Sequence, residues 1–241
     1  MLSKTRGIVL KVTDYSESSV VARIFTDQFG LQSYLINGVK KPKAKIRLNM
    51  LQPLHLLDMV VYHKAGGGIQ KVSELRNVPL FSSIPYDIIK SSLALFLNEI
   101  IYKSVKEQQE DPALFEFIFK SVEFLDETQE SIANFHLCFL VKLSRYLGFY
   151  PDMSYADTSV FFDLKDGIFT NAHPPHAFFI KDEALNAFTE ILRIPLHAQH
   201  TLSVGKKCRK EQLSKLLDFY ALHIDNLGAI QSVGVLEELW S

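Results

Sequence analysis

Cysteine is scarce in this chain. The 241 residues hold two, Cys138 and Cys208, both within helix-like text. Two distant thiols give no disulfide framework, and the expected location is the cytoplasm. Long apolar runs are missing too: no window approaches the ~18 uninterrupted apolar residues of a membrane span. Lys4 and Arg6 precede only a short apolar stretch before Lys11 and Asp14, so no secretory or transit signal is expected. Catalytic signatures are equally thin. G-x-G-x-x-G, G-x-x-x-x-G-K-[ST] and G-x-S-x-G are all lacking. Gly66, Gly67 and Gly68 lack a following Lys-Ser/Thr and read as a hairpin turn rather than a phosphate cradle.

What the chain does have is a division of charge. The formal net charge is -1, yet residues 1–80 carry 12 Lys/Arg against 5 Asp/Glu (+7), and residues 81–241 carry 14 against 22 (-8). Such asymmetry points to a polyanion-binding module. The peak is GVKKPKAKIR at 38–47, where Lys40, Lys41, Lys43, Lys45 and Arg47 stand in ten residues without an acid. Gly38 and Pro42 favour a loop, and point charges on a loop can follow a phosphate backbone without fixed geometry. Arg6 and Arg23 extend this surface if their strands present that face. Lys206, Lys207, Arg209 and Lys210 open a late helix; they read either as a second contact or as its solvated start.

Periodicity gives the architecture. Residues 7–12, 19–25, 31–36, 54–62 and 69–75 read as five short strands; in the first, Ile8, Leu10 and Val12 alternate against Val9 and Lys11. Five such strands fit an OB-fold barrel, with an SH3-like barrel as the competing reading. Pro79 and Pro85 mark the boundary between a domain at 1–80 and one at 81–241. From about residue 86 the period becomes helical, over 93–105, 113–125, 131–149, 182–193 and 209–225. Asp111 before Pro112 is a helix start, and Ser131 is expected to cap the third segment, which Gly148 and Pro151 end. Residues 152–180 read as a small irregular β-hairpin insert. The fold class is therefore multi-domain α+β: an N-terminal OB-fold barrel, then an all-α domain carrying that insert.

Aromatic platforms for bases are drawn from Tyr15, Phe25, Phe29, Tyr34 and Tyr62, without a sequence signal for which face outward. His173 and His176, in HPPH, invite a metal-dependent hydrolase reading with Asp157, Asp163 and Asp166, but no cysteine lies nearby and the spacing is unspecific. His197 and His200 lie one turn apart only if LHAQH is helical. Glu107, Glu110 and Asp111 read as a solvated helix end. No cofactor is expected. A third reading is an interaction scaffold whose basic loop meets an acidic protein; Lys142 and Arg145 are then candidates for an acidic partner tail.

Several stretches carry a resemblance. They are T-x-G-I-V-L at 5–10, Tyr15 with Glu17, F-T-x-x-x-G-L at 25–31, the glycine-led basic loop, Leu51–Gln52–Pro53, LFLNEII at 95–101 and LGFYP at 147–151. Ile230–Gln231–Ser232 matches a late step with its lysine replaced. Together they resemble the RecO family of bacterial recombination mediators. The resemblance implies an OB-fold followed by a helical domain, binding of single- and double-stranded DNA, and annealing of complementary strands. It also implies partnership with RecR and the single-stranded-DNA-binding protein, a functional link to RecA loading, a nucleoid-associated place in the cytoplasm, and no enzymatic turnover. Many family members carry two Cys-x-x-Cys pairs after the segment matching LGFYP. Here there is no cysteine in that region, so the insert is expected to be a metal-free variant of the zinc module.

Overall fold

The computed structural model describes residues 2–64, 66–106 and 110–239. By contacts the chain divides into two units, Met1–Glu127 and Thr128–Ser241.

The first unit is built on five strands: β1 (Leu2–Asp14), β2 (Val20–Thr26), β3 (Gly30–Ile36), β4 (Leu56–Tyr62) and β5 (Gln70–Asn77). They close into a barrel in the order β1-β2-β3-β5-β4. β1 is long enough to serve two neighbours, with Gly7–Asp14 antiparallel to β2 and Leu2–Ile8 antiparallel to β4. The parallel pairing of Tyr34 and Leu35 with Gln70 and Lys71 completes the closure. This is the OB-type arrangement, and closure leaves no open sheet edge to protect.

The simple alternation expected for β1 does not hold. The register shifts between Val9 and Lys11, and a bulge of this kind puts an extra residue into the strand. Val9 therefore joins Val20, Ala22, Ile24, Tyr34 and Met59 in the barrel core, and Val12 packs against the same cluster. Ile8 and Leu10 lie outside that cluster yet are just as buried. α1 packs against β1, with Asn98 Nδ2 donating to the Leu10 carbonyl at 3.0 Å. Gly7 is required by space: a Cβ there would sit 2.6 Å from Ile24 Cγ2 and 2.7 Å from Met59 Cε. The F-T-x-x-x-G-L stretch is a turn built on Thr26. Its hydroxyl donates to the Gly30 carbonyl (2.9 Å) and accepts from the Phe29 amide (3.1 Å), while Gly30 takes φ +60°. β4 begins at Leu56 rather than Leu54 because Leu54 has φ +60°; its amide donates to Val9 O instead.

Helices α1 (Ile88–Ser104) and α2 (Pro112–Glu127) belong to this unit. Asp87 caps α1 through the Ile89 and Lys90 amides, and Asp111 caps α2 through the Leu114 amide, with Pro112 in the first turn. Contacts divide the chain after Glu127 because these helices are tied to the barrel and its exit segment. Phe115 packs on Phe25 with ring centroids 5.8 Å apart. The buried Asp126 carboxylate accepts from the amides of Ser82 (2.7 Å), Ser83 (2.9 Å) and Ile84 (2.8 Å). Burial pushes that carboxyl up, and the amides of Ile84, Ser82 and Ser83 more than reverse this, leaving it below the usual carboxylate range.

The second unit centres on α3 (Phe135–Tyr146), which is buried along most of its length. Ser131 does not cap it: the helix starts later, after Asn134. The Ser131 carbonyl instead accepts from Gln199 Nε2 at 2.5 Å. Gly148, φ +87°, ends the segment as expected. Residues 161–181 form a hairpin, β6 (Phe161–Asp163) with β7 (Ile168–Thr170), extended by a third strand, β8 (Phe179–Lys181), in the order β7-β6-β8. β8 runs straight into α4 (Asp182–Arg193); α5 (Lys206–His223) and α6 (Val233–Leu239) follow. Cys138 and Cys208 are free thiols, and burial pushes the Cys138 thiol up to about 12. Among the described residues no helix is long and apolar enough to cross a membrane.

Candidate nucleic-acid interface

The basic segment follows β3 as a series of turns, residues 37–47, before a short 3-10 helix at Leu48–Leu51. It is pinned from below. Val39 is 4% exposed and belongs to the barrel core, and Ile46 packs against the same cluster. Two inward apolar anchors leave Lys41, Lys43 and Lys45 between them outside, and Arg47, just past the second anchor, is exposed as well. None of these four makes an ion pair with a described residue. Lys40 differs: its Nζ is 2.7 Å from Asp14 Oδ1, and its amide donates to Ser18 O. The start of the loop therefore leans on the β1–β2 hairpin tip. The sequence segment lacks an acid, but the fold supplies one from β1.

The same hairpin tip carries Tyr15, 61% exposed. Of the five candidate platforms, Tyr15 and Tyr62 are exposed, Phe25 and Tyr34 are buried, and Phe29 stacks on His63 with centroids 3.9 Å apart. Burial holds the Tyr34 phenol far above its ordinary range.

The outlying candidates divide. Arg23 stands opposite Lys11 across β1 and β2, and both cations lie over the Tyr102 ring, at 5.4 and 5.1 Å. Burial pushes the Tyr102 phenol up, but hydrogen bonds and charge from Arg23 and Lys11 outweigh it and bring it below its ordinary value. Neither Lys11 nor Tyr102 was singled out from the sequence. The alternation that marks a strand does not say which residue of a later helix will cover it. Arg6 is engaged inside its unit. Its guanidinium meets Asp27 (3.1 Å) and Glu116 (2.9 Å) and lies over Phe115 and Phe119 at 5.1 and 5.0 Å. Burial would lower its pKa; the two carboxylates more than reverse that.

In the second unit Lys206, Lys207 and Lys210 are exposed in the first turns of α5, whose first turn holds no acidic residue. Cations there oppose the helix dipole by about 0.3–1 kcal/mol each. Arg209 instead turns inward, donating to Asn134 Oδ1 (3.1 Å) and Val204 O (3.0 Å). Lys142 Nζ donates to the Leu192 carbonyl at 2.7 Å, and Arg145 lies over the Tyr150 ring at 4.3 Å.

The histidines do not assemble a metal centre. His173 Nδ1 is 2.8 Å from Pro174 O, and His176 Nε2 is 3.3 Å from Asp163 Oδ2. Among the described residues no three of His, Cys, Asp and Glu converge as metal ligands. His197 and His200 lie exposed in a 3-10 turn (Leu196–Thr201). Of the acidic trio, Glu107 lies outside the described residues, and Asp111 is used as the α2 cap.

A closed five-stranded barrel with a pinned, solvent-facing row of cations defines an OB-type module with a cationic rim. Comparison with known families gives that module its relatives. The family described as "Recombination protein O N terminal" matches residues 1–81, and "Recombination protein O C terminal" matches 85–228. The chain is 32% identical to the DNA repair protein RecO of Phocaeicola vulgatus over 241 residues, and 32% identical to that of Bacteroides fragilis. It is 31% identical to the protein of the same name from Flavobacterium psychrophilum over 242 residues. In each case all of both chains is covered. The chain belongs to the RecO family.

Proposed function

We propose that this chain is a DNA-binding recombination mediator of DNA repair. In this reading it anneals complementary strands and, with RecR, helps RecA load onto strands coated by the single-stranded-DNA-binding protein, without catalytic turnover. Membership of a family whose named members are DNA repair proteins supports the role. The observation that carries the DNA contact is the loop. Four exposed cations, Lys41, Lys43, Lys45 and Arg47, are held on a barrel rim by Val39 and Ile46 and have no described carboxylate partner.

A row of lysines without a rigid hydrogen-bonding frame suits phosphates, which need charge within reach and no base-specific geometry. Tyr15 on the adjoining hairpin tip supplies one exposed ring for stacking. Lys40, at the loop's start, contributes after leaving Asp14; Arg23 with Lys11, and Lys206, Lys207 and Lys210, are additional contacts in the same proposal. Arg6 and Arg209 are left out of the contact set because their guanidinium groups already serve the fold.

The test is fluorescence anisotropy with labelled single-stranded and duplex oligonucleotides, followed by an annealing assay on complementary strands. Binding of single strands and faster annealing than the spontaneous rate are expected. A chain that binds neither form at low salt refutes the proposal.

A further inference from the structure

The basic loop ends at an apolar groove. The 3-10 helix Leu48–Leu51 starts immediately after Arg47, and its Asn49 and Met50 form part of the wall of a cavity of about 650 Å³. Across from them stand His55, Phe81, Leu80 and Tyr86, from β4's approach and the segment leaving the barrel. His55 and Phe81 meet edge to face, with centroids 5.3 Å apart. The lip is unusual: Leu80 is 79% exposed and Tyr86 is 85% exposed. Large apolar side chains left in water beside an apolar cavity mark a binding surface.

Charge decides the occupant. No carboxylate lines this groove among the described residues; the one charged lining residue is Arg76. A second, more polar groove on the same unit, of about 490 Å³, sets Asp27, Asp58 and Glu74 against Lys4, Arg6 and Arg76, so it offers a phosphodiester no net positive charge. Only the first combines stackable rings, amide groups at Asn49 and Gln52 for base edges, and direct chain continuity with the row of cations. A peptide without acidic residues would fit the apolar lip but would leave the adjoining cations without a counter-charge.

We propose that this groove receives unpaired bases of a single DNA strand whose phosphates follow Lys41 to Arg47, with Tyr86 and Leu80 as the lip on which the first base packs. This rests on the DNA-binding reading above and adds a preference: duplex DNA, whose bases are already stacked, uses the cations alone.

The test compares wild type with a Tyr86→Ser, Leu80→Ser double variant, using a thymidine oligonucleotide and a duplex of equal length. Both side chains are exposed, so the fold should tolerate the change. Affinity for the single strand should fall about ten-fold, within the range of one lost stacking contact. Duplex affinity and the salt slope should stay as in wild type, and Tyr86→Trp, which keeps a stacking face, should retain single-strand affinity. Unchanged single-strand affinity in the double variant overturns the groove proposal while leaving the DNA reading standing. Equal losses on both DNA forms overturn the base-specific role. Self-association that the double variant abolishes, with DNA affinity intact, assigns the groove to a second copy instead. Failure of wild type to bind any DNA removes both readings.

Discussion

If the loop neutralises phosphates, its contribution can be read from salt. Each phosphate neutralised on a single strand adds about -0.7 to the log–log slope of affinity against salt. The sequence segment holds five cations, which would give about -3.5. The structure reduces the unencumbered set to four, because Lys40 sits 2.7 Å from Asp14. Four give a slope near -2.8, or about fifty-fold weaker binding between 50 and 200 mM NaCl. The perturbation is replacement of Lys41, Lys43, Lys45 and Arg47 together by Gln. Anisotropy titrations across that salt range should show the slope flattened by about 2.8 units of the log–log plot. Lys40→Gln alone should change it by less than ~0.7, because breaking the Asp14 pair offsets part of the gain. The four side chains are exposed, so stability should move by no more than about 0.5 kcal/mol. A quadruple variant that keeps the wild-type slope would refute the loop assignment, since no fold defect would be available to explain it away.

Other outcomes follow from groups inside the fold. Arg6→Gln should lower the urea midpoint while leaving the salt slope unaltered, since its charge is met by Asp27 and Glu116; a flattened slope would return it to the DNA surface. Asp126→Ala leaves three amides without their acceptor and should cost about 3 kcal/mol or more, with Asp126→Asn milder, both measurable by chemical unfolding. His136 is fully buried, and burial lowers its pKa from 6.5 to about 3. The unfolded chain takes up a proton that the folded state resists, so stability falls as pH drops below the ordinary value. Linkage sets this group's share at about 2 kcal/mol between pH 7 and 5. A His136→Leu variant should lose correspondingly less over that interval, and equal losses in both proteins would count against the buried neutral ring. Gly7→Ala should cost about 1–3 kcal/mol, because its Cβ meets Ile24 and Met59 within 3 Å.

How much of this was legible beforehand depends on whether the signal was local. Val20, Ala22 and Ile24 share one face, and strict alternation disclosed that strand. Asp111–Pro112 disclosed a helix start because capping is chemistry within one turn. Alternation failed at Leu10, where the bulge depends on pairing with β2 and leaves no mark in β1 itself. The third strand of the insert was missed for a similar reason. Phe179–Lys181 is three residues long, too short for a period, and becomes a strand only by pairing with β6. Ser131 looked like a cap by type, but the chain from 131 to 134 is held elsewhere, through Gln199 to the Ser131 carbonyl and Asn134 to Leu202.

The candidate site shows the same limit in its charges. The five positive residues were visible as composition, but their availability was not, because availability depends on which acid the fold brings near. Asp14 reaches Lys40 from another strand, Asp27 and Glu116 enclose Arg6, and Asp58 meets Arg76 at 2.8 Å. The excess of +7 in the first eighty residues is thus spent unevenly across the barrel. Cations at the strand positions Arg6 and Arg76 pair with carboxylates, whereas Lys41 to Arg47 have no described partner. A polyanion attracted by the net charge of this region would find its least compensated contacts at the loop. In the proposed reading the position of the uncancelled charge, and not its total, selects where a strand lies, and the strand's next nucleotides would then meet the apolar groove that begins at Asn49.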